Sequence, residues 1–212
     1  MENLTITLLI IILTVISSIM AFNNNVIKGS ALFYPFAMHN RGEWYRFLTS
    51  GFIHADFLHL AVNMYVLYSF GTVLEKSYLP LFFGDYARLM FVGIYILGMI
   101  AADIPSFLKH RNDATYRGLG ASGAVAAVLF ACILIGPFNG SIGLLFIPGV
   151  GIPPILFGLL YLAYSVYMGR AGRDNINHDA HFYGAVFGLI FPGLFRPELF
   201  QLLIEQIKMK LT

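Results

Sequence analysis

Six apolar stretches, each about as long as a membrane-spanning helix, follow one another along the chain. A helix needs about 20 predominantly apolar residues to cross a bilayer. The stretches that meet this condition predict helices at residues 4–22, 57–75, 88–105, 119–137, 153–169 and 180–196. The pattern therefore predicts an all-α membrane protein that forms a single domain over residues 1–212, without an internal repeat.

The segments between these helices differ in length and polarity. Residues 23–56 form a long first loop that carries the single Trp, and residues 138–152 form an uncharged loop rich in Gly and Pro. The second of these loops is apolar enough to lie at the membrane surface. After the sixth helix, apolar residues at helical spacing over 196–212 predict an interfacial helix.

The composition supports a membrane protein and excludes several other classes. Hydrophobic residues make up 58% and charged residues 11% of the chain, whereas about a quarter of a soluble domain is charged. The 20 Phe and 12 Tyr fit aromatic belts at the membrane surfaces. A single Cys excludes an internal disulfide framework, and the net charge of +2 gives no reason to expect nucleic acid as a partner. The first stretch follows acidic Glu2 and exceeds a typical signal-peptide core, so a retained helix is expected.

Polar side chains recur at one depth of the predicted bundle. Helices two, four and six run in the same direction, so their N-terminal ends lie at one face of the membrane. The first turns of these helices carry His59, Asn63, Ser122 and His181. At a rise of about 1.5 Å per residue, all four lie within about 10 Å of the helix starts. Because polar groups in a bilayer are costly and usually face the bundle interior, this level predicts a functional site.

Ser122 and His181 are the residue types that form a nucleophile and its base. A serine hydroxyl becomes a strong nucleophile when a histidine takes its proton. The two helices are expected to pack closely, because each carries a stripe of small residues that lets backbones approach in a bilayer. The stripes consist of Gly123, Ala127 and Ala131 in the fourth helix and Gly184 and Gly188 in the sixth.

The same level offers donors for an oxyanion, which acyl transfer requires. The helix that begins near Ser122 has free N–H groups and the positive end of its dipole at that point, and both favour negative charge. Asn63 can donate through its amide and His59 through a ring N–H. We therefore expect the second helix to supply side-chain donors and the Ser122 backbone to supply the other half of an oxyanion site. Gly120 and Gly123 are expected to leave room for a substrate backbone and for the sixth helix.

These motifs, in this order, resemble those of rhomboid intramembrane serine proteases. The resemblance rests on HLAVN (His59, Asn63), GASG (Gly120, Ser122, Gly123) and AHFYG (Ala180, His181, Gly184), with Tyr45-Arg46, His54, Gly71 and Glu75 as further matches. It spans residues 43–190. Three motifs on three different helices make the resemblance much more specific than any one of them alone.

The resemblance implies a fold, a reaction and roles for individual residues. The implied fold is the six-helix bacterial form, a bundle around a water-filled cavity with the first loop partly in the outer leaflet and the fifth helix as a lateral gate. Ser122 is implied as the nucleophile, His181 as the general base, and His59, Asn63 and the Ser122 N–H as the oxyanion donors, with no cofactor and no metal. The implied partners are the transmembrane segments of substrate proteins and the lipid bilayer; oligomeric state cannot be read.

The resemblance also implies a cellular location and a membrane orientation. The implied protein is a multi-pass protein of the bacterial inner membrane whose active site faces outward. Lys and Arg are expected on the cytoplasmic side, yet they are more numerous in the loops on the active-site side. The family orientation is retained because the excess lies in the long first loop.

Two positions depart from the family pattern. The family often has an aromatic residue four positions after the serine, where it stacks on the histidine ring, and this chain has Ala126. The orientation of His181 is then expected to depend on another residue, with Tyr183 and Tyr65 as candidates. Leu79 also stands where the family usually has a Gly four residues after the Glu of the second helix.

Structural roles are the simpler interpretation for several polar residues. Most serines in transmembrane helices are packing residues, and the shared level with His181 is what favours a reactive Ser122. His178 and His181 lie one turn apart, as metal ligands do, but no acidic third ligand shares their level. Other expectations are a hydrogen bond for His54, capping of helix six by Asp179, a core position for Cys132, loop carbonyls or lipid headgroups as partners of Arg46, and capping or pairing for Glu75 and Arg88.

Two other classes of function are compatible with a small membrane bundle. A catalytically silent relative that binds or sorts membrane proteins is disfavoured, because such relatives typically lack the serine or the histidine. A small transporter is disfavoured because the chain has neither an inverted repeat nor a pair of broken helices.

Overall fold

The computed structural model describes residues 4–144, 147–172 and 176–211, which are mostly helical. The helices in these ranges are α1 (Ile6–Asn23), α2 (Asn25–Ala31), α3 (Pro35–Arg41), α4 (Arg46–Thr49), α5 (Phe57–Val73), α6 (Leu79–Phe83), α7 (Ala87–His110), α8 (Ser122–Ile135), α9 (Pro154–Ala171), α10 (His178–Phe195) and α11 (Glu198–Leu211). A π-helical turn covers Leu74–Tyr78, and 3-10 turns cover Ser50–Phe52 and Gly84–Tyr86. Each of the six predicted stretches coincides with one long helix, namely α1, α5, α7, α8, α9 or α10.

By length and hydropathy, two helical stretches of the described chain qualify as membrane spans. They are Ile6–Asn23 and the nearly continuous stretch Phe57–His110, which contains α5, α6 and α7. A third qualifies if α10 and α11, bent by 115° at their junction, count as one span. The chain is thus a multi-pass membrane protein, while the number of six spans stays a prediction.

Several predicted boundaries and loops need correction. Helix α7 continues to His110 rather than ending at residue 105, and Pro105 lies inside it. Helix α8 is shorter than predicted, because it begins at Ser122. The first loop contains the three short helices α2, α3 and α4. Its place at the membrane stays a prediction.

The Gly- and Pro-rich segment 138–152 is not wholly a loop. It contains an antiparallel hairpin of β1 (Ile142–Leu144) and β2 (Ile147–Ile152), with Ile142 opposite Ile152 and Gly143 opposite Gly151. Residues 145–146 of the predicted loop lie outside the described residues, as do residues 173–175 of the polar segment 170–179. The C-terminal segment forms α11 as predicted, and its interfacial location stays a prediction.

Helix α1 is polar on its inner face and apolar on its outer face. Thr7, Thr14 and Ser18 are fully buried, whereas large apolar side chains point outward. The outward side chains include Leu9, Ile12, Leu13, Ile16 and Ile19. This distribution is the reverse of that in a water-soluble bundle, and it fits a helix whose outer face contacts lipid.

Glu75 closes the N-terminus of α1. Its carboxylate accepts hydrogen bonds from the main-chain N–H groups of Ile6 and Thr7, at 2.7 and 2.9 Å, and from the Thr7 hydroxyl at 2.7 Å. A helix N-terminus has unsatisfied N–H groups and a positive dipole end, so a carboxylate is favoured there. Gly71 lies one turn earlier, and a Cβ at this position would lie 2.9 Å from the Thr7 methyl group. The expectation that Glu75 caps a helix is confirmed.

Helix α8 is the central helix of the bundle. Every residue from 123 to 135 is buried, and only Ser122, its first residue, is partly exposed. Helices α5, α7 and α10 pack around it. The chain therefore presents a single hydroxyl at the accessible end of an otherwise buried helix.

Candidate active site

The first loop fixes the segment that leads into α8. Phe33 and Gly118 exchange two main-chain hydrogen bonds of 3.0 Å, and the Gly120 N–H donates to the Ser50 carbonyl at 2.9 Å. Arg46 is buried and donates to the carbonyls of Gly29 and Leu32, at 3.0 and 2.8 Å. It therefore binds loop carbonyls, which was one of its two expected roles.

His54 joins the first loop to α1 and to the residue before Ser122. Its Nε2 accepts the N–H of Ala121 at 3.4 Å, so Nδ1 carries the proton and donates to Ser18 Oγ at 3.0 Å. Ser18 in turn donates to the Phe52 carbonyl at 3.3 Å. Burial, followed by the positive potential of His59, lowers the pKa of His54 to about 4, so its ring is neutral at physiological pH. The expected structural hydrogen bond of His54 is confirmed.

Gly120 is required by its backbone and by its neighbour. Its φ of +117° is a backbone conformation that residues other than glycine rarely adopt, and a Cβ here would lie 2.7 Å from His59 Cε1. The side of Gly120 on which a side chain would lie is therefore occupied by the His59 ring, which places His59 beside the start of α8. The expectation that Gly120 leaves room for a substrate backbone stays a prediction.

The small residues of α8 and α10 meet as predicted. A Cβ on Gly184 would overlap the carbonyl oxygen of Gly123, and one on Gly188 would overlap that of Ala127. Helix α7 approaches from another side, where a Cβ on Gly123 would lie 2.6 Å from the Ala102 methyl group. The three backbones come this close only because these positions carry almost no side chain.

This packing brings Ser122 and His181 into hydrogen-bond contact. The distance from His181 Nε2 to Ser122 Oγ is 2.8 Å. Both residues are partly exposed. If Nδ1 carries the ring proton, Nε2 accepts the serine proton, which is the arrangement of a nucleophile and its base.

The ring of His181 is packed by residues that were not predicted for this role. Tyr161 of α9 stacks on it with ring centroids 6.0 Å apart and 27° between the planes, and His178 meets it edge-on at 5.7 Å. The predicted candidates, Tyr65 and Tyr183, are 64% and 43% exposed, and their role stays a prediction. An aromatic ring from α9 thus takes the place that Ala126 leaves empty. The spacing of Tyr161, Tyr164 and Tyr167 along the helix does not by itself show which of them faces His181.

Side-chain and backbone donors lie at the same end of the bundle. Asn63 is buried, and its Nδ2 donates to the His59 carbonyl at 2.9 Å, which leaves one amide N–H for another acceptor. Ala121 is the N-cap residue of α8 and has no side-chain oxygen, so the first N–H groups of the helix are not capped by it. His59 lies beside the turn that begins the helix. The site therefore combines a partly exposed hydroxyl, a histidine acceptor and several N–H groups.

Two further expectations concern residues around His181. Asn177, not Asp179, caps α10, because its Oδ1 accepts the Ala180 N–H at 3.1 Å. Asp179 lies in the first turn, where its side chain points away and pairs with Lys109 at 3.5 Å. Within the described ranges, no group of three or more His, Cys, Asp or Glu side chains could hold a metal ion. Cys132 is buried in the core, as expected.

The sequence of the chain matches a family model and individual relatives. The Rhomboid domain model matches residues 41–198, which is most of the chain. The chain therefore belongs to the rhomboid family.

Among its relatives are plant and bacterial proteins. It is 27% identical over 164 residues to "RHOMBOID-like protein 12, mitochondrial" from Arabidopsis thaliana, covering 70% of this chain and 46% of the relative. It is 28% identical over 168 residues to "Rhomboid-like protein 11, chloroplastic" from the same plant, covering 74% and 54%. With "Rhomboid protease GluP" from Bacillus subtilis the identity is 29% over 154 residues, covering 73% and 27%. The chain thus spans about half the length of these plant relatives and less of the bacterial one.

Proposed function

We propose that this protein is an intramembrane serine endopeptidase that cleaves transmembrane segments of other membrane proteins. The observation that carries the proposal is the 2.8 Å contact between Ser122 Oγ and His181 Nε2 at the accessible end of a buried helix. Family membership supports it, because one relative, from Bacillus subtilis, is named as a rhomboid protease. The proposed partners are transmembrane substrates and the surrounding lipid.

The proposed reaction has two stages. His181 takes the Ser122 proton as Oγ attacks the scissile carbonyl, and then delivers it to the leaving amine. A water molecule, activated by the same histidine, releases the acyl group. In both stages the developing oxyanion is stabilised by N–H groups at the start of α8 together with Asn63 and His59.

Helix α9 is the proposed entry point for substrate. In the described part of the helix only Pro154, Gly158 and Ser165 are buried, whereas α8 beside it is buried almost throughout. A loosely held helix is able to move aside at a modest cost in packing. We place the protein in the bacterial inner membrane with its active site facing outward, as the family resemblance implies; relatives carry mitochondrial and chloroplastic names as well.

The alternative is a catalytically silent member of the family that binds membrane proteins without cutting them. The two are separated by incubating the purified protein in liposomes with a set of single-span reporter proteins. The proposed function predicts fragments whose new termini lie within the transmembrane segment, identified by mass spectrometry. Co-purification of intact reporters with no fragments would favour the silent alternative.

Replacing Asn63 with Ala is expected to lower kcat about a hundredfold and leave measurable activity, because one of several oxyanion donors is lost. The measurement is the initial rate of reporter cleavage over a range of reporter concentrations. Asn40→Ala is a matched control, since Asn40 donates the same kind of hydrogen bond, to the Phe36 carbonyl one turn earlier, on an exposed surface. Equal rates for Asn63→Ala and this control would remove Asn63 from the oxyanion site.

Replacing Tyr161 with Ala is expected to lower kcat about three- to tenfold, because an aromatic contact worth about 1 kcal/mol no longer holds the His181 ring. Tyr161→Phe retains the ring and should stay near the wild-type rate. Tyr167, exposed on the same helix, supplies the control Tyr167→Ala. If Tyr161→Phe loses as much activity as Tyr161→Ala, the ring contact is not what orients His181.

A further inference from the structure

Two side chains near the end of α7 form hydrogen bonds with Asn177, the N-cap residue of α10. Ser106 of α7 is buried and donates from Oγ to Asn177 Oδ1 at 3.0 Å. Asn177 Nδ2 donates to Asp103 Oδ1, also on α7, at 3.5 Å. Asp103 lies in the predicted third helix, whereas Ser106 lies just beyond its predicted end and belongs to α7 because α7 continues past Pro105.

Asn177 is bonded directly to the helix turn that carries His181. Its Oδ1 accepts the Ala180 N–H at 3.1 Å, and its main-chain carbonyl accepts the His181 N–H at 3.3 Å. The orientation of the amide is therefore determined, because two donors, Ser106 O–H and Ala180 N–H, point at Oδ1. The NH2 group must then face Asp103, whose Oδ1 is its acceptor.

Asp103 also lies against the start of α8. It lines a cavity of about 20 Å³ together with Ser122, Gly123, Asn177 and Ala180, space for about one water molecule. The carboxyl group thus lies between the first turns of the two helices that carry the nucleophile and the base. A displacement of Asn177 at this point changes the relative position of Ser122 and His181.

We propose that Asp103 is a positioning residue for His181. It acts by holding the amide of Asn177, the N-cap residue of α10. The proposal rests on the proposed protease function. Asp103 does not touch the reacting atoms; it fixes which way Asn177 faces, and Asn177 fixes the first turn of α10. The motifs that carry the family resemblance do not include Asp103, Ser106 or Asn177.

An exchange of the two side chains tests the proposal. Asn177→Asp retains an N-cap residue, since Asp caps helices as well as Asn does, but it removes the amide N–H that Asp103 accepts and sets a second carboxyl group against that of Asp103. It is expected to lower kcat at least about tenfold with little change in KM, because the base is displaced rather than the substrate site altered. Adding Asp103→Asn restores an amide-to-carboxylate hydrogen bond in the reverse direction. The double variant is expected to return to within about threefold of wild type.

The readouts are reporter cleavage and the thermal midpoint of each variant in detergent. The exposed carboxylate of Asp85, in the 3-10 turn before α7, supplies the control Asp85→Asn, which is expected to change neither. A merely capping Asn177 predicts that Asn177→Asp is already near wild type, and this result would overturn the proposal. So would a double variant no more active and no more stable than Asn177→Asp.

The two proposals fail in different ways. If the wild-type protein cuts no reporter, the protease function fails, and the thermal midpoints of the single and double variants still measure the coupling between positions 103 and 177. If the wild type is active and the exchange is not rescued, only the positioning role fails.

Discussion

Replacing Ser122 with Ala is expected to reduce reporter cleavage below detection while the protein stays folded. Loss of the nucleophile from a serine–histidine site costs about 10⁶-fold in kcat. Ala is well tolerated in helices, and the hydroxyl that is removed contacts His181 Nε2 at the accessible end of α8. The measurement is the rate of fragment formation in liposomes, with the thermal midpoint as a check on folding.

His181→Ala should give the same loss, because the hydroxyl then has no base. His39, which is exposed on α3, offers the matched control His39→Ala, for which wild-type cleavage is expected. Cleavage at the wild-type rate by a folded Ser122→Ala protein would mean that Ser122 is not the nucleophile.

Replacing Gly184 with Ala is expected to lower both the cleavage rate and the thermal midpoint. The added Cβ would overlap the Gly123 carbonyl oxygen, a backbone atom that no side-chain rearrangement can move away. Overpacking in a well-packed core typically costs about 1–3 kcal/mol. The added methyl group also separates α8 from α10, so we expect the 2.8 Å contact between Ser122 and His181 to be lost. The cleavage rate should then fall by more than the loss of folded protein explains.

The control for Gly184→Ala is Gly29→Ala. A Cβ on Gly29 meets no atom within 4 Å, so neither the thermal midpoint nor cleavage should change. A Gly184→Ala protein with wild-type activity would show that α8 and α10 are not held by the close contact between their backbones.

The sequence predicted the long helices and the residues that meet at the start of α8 well, because both depend on local patterns. Apolar runs of span length marked α1, α5 and α8, and small residues four apart marked the faces on which α8 and α10 meet. The level of Ser122, His181 and Asn63 followed from helix direction alone. These inferences needed no knowledge of which side chain touches which.

What the sequence could not predict depends on distant contacts. The predicted third helix ended at residue 105, yet α7 continues to His110 and contacts Asn177 through Ser106. The stacking of Tyr161 on His181 depends on the relative placement of α9 and α10, which no periodicity specifies. The contact of the His59 ring with Gly120 could not be predicted either, because the two residues lie far apart in the chain. In each case tertiary packing decided among locally equivalent choices.

We propose that His181 activates Ser122, and covalent labelling with a fluorophosphonate in detergent measures this activation. The wild-type protein is expected to gain one adduct, located on Ser122 by mass spectrometry, whereas Ser122→Ala gains none and His181→Ala reacts far more slowly. Equal labelling of wild type and Ser122→Ala, or no labelling of a folded wild-type protein, would contradict the claim.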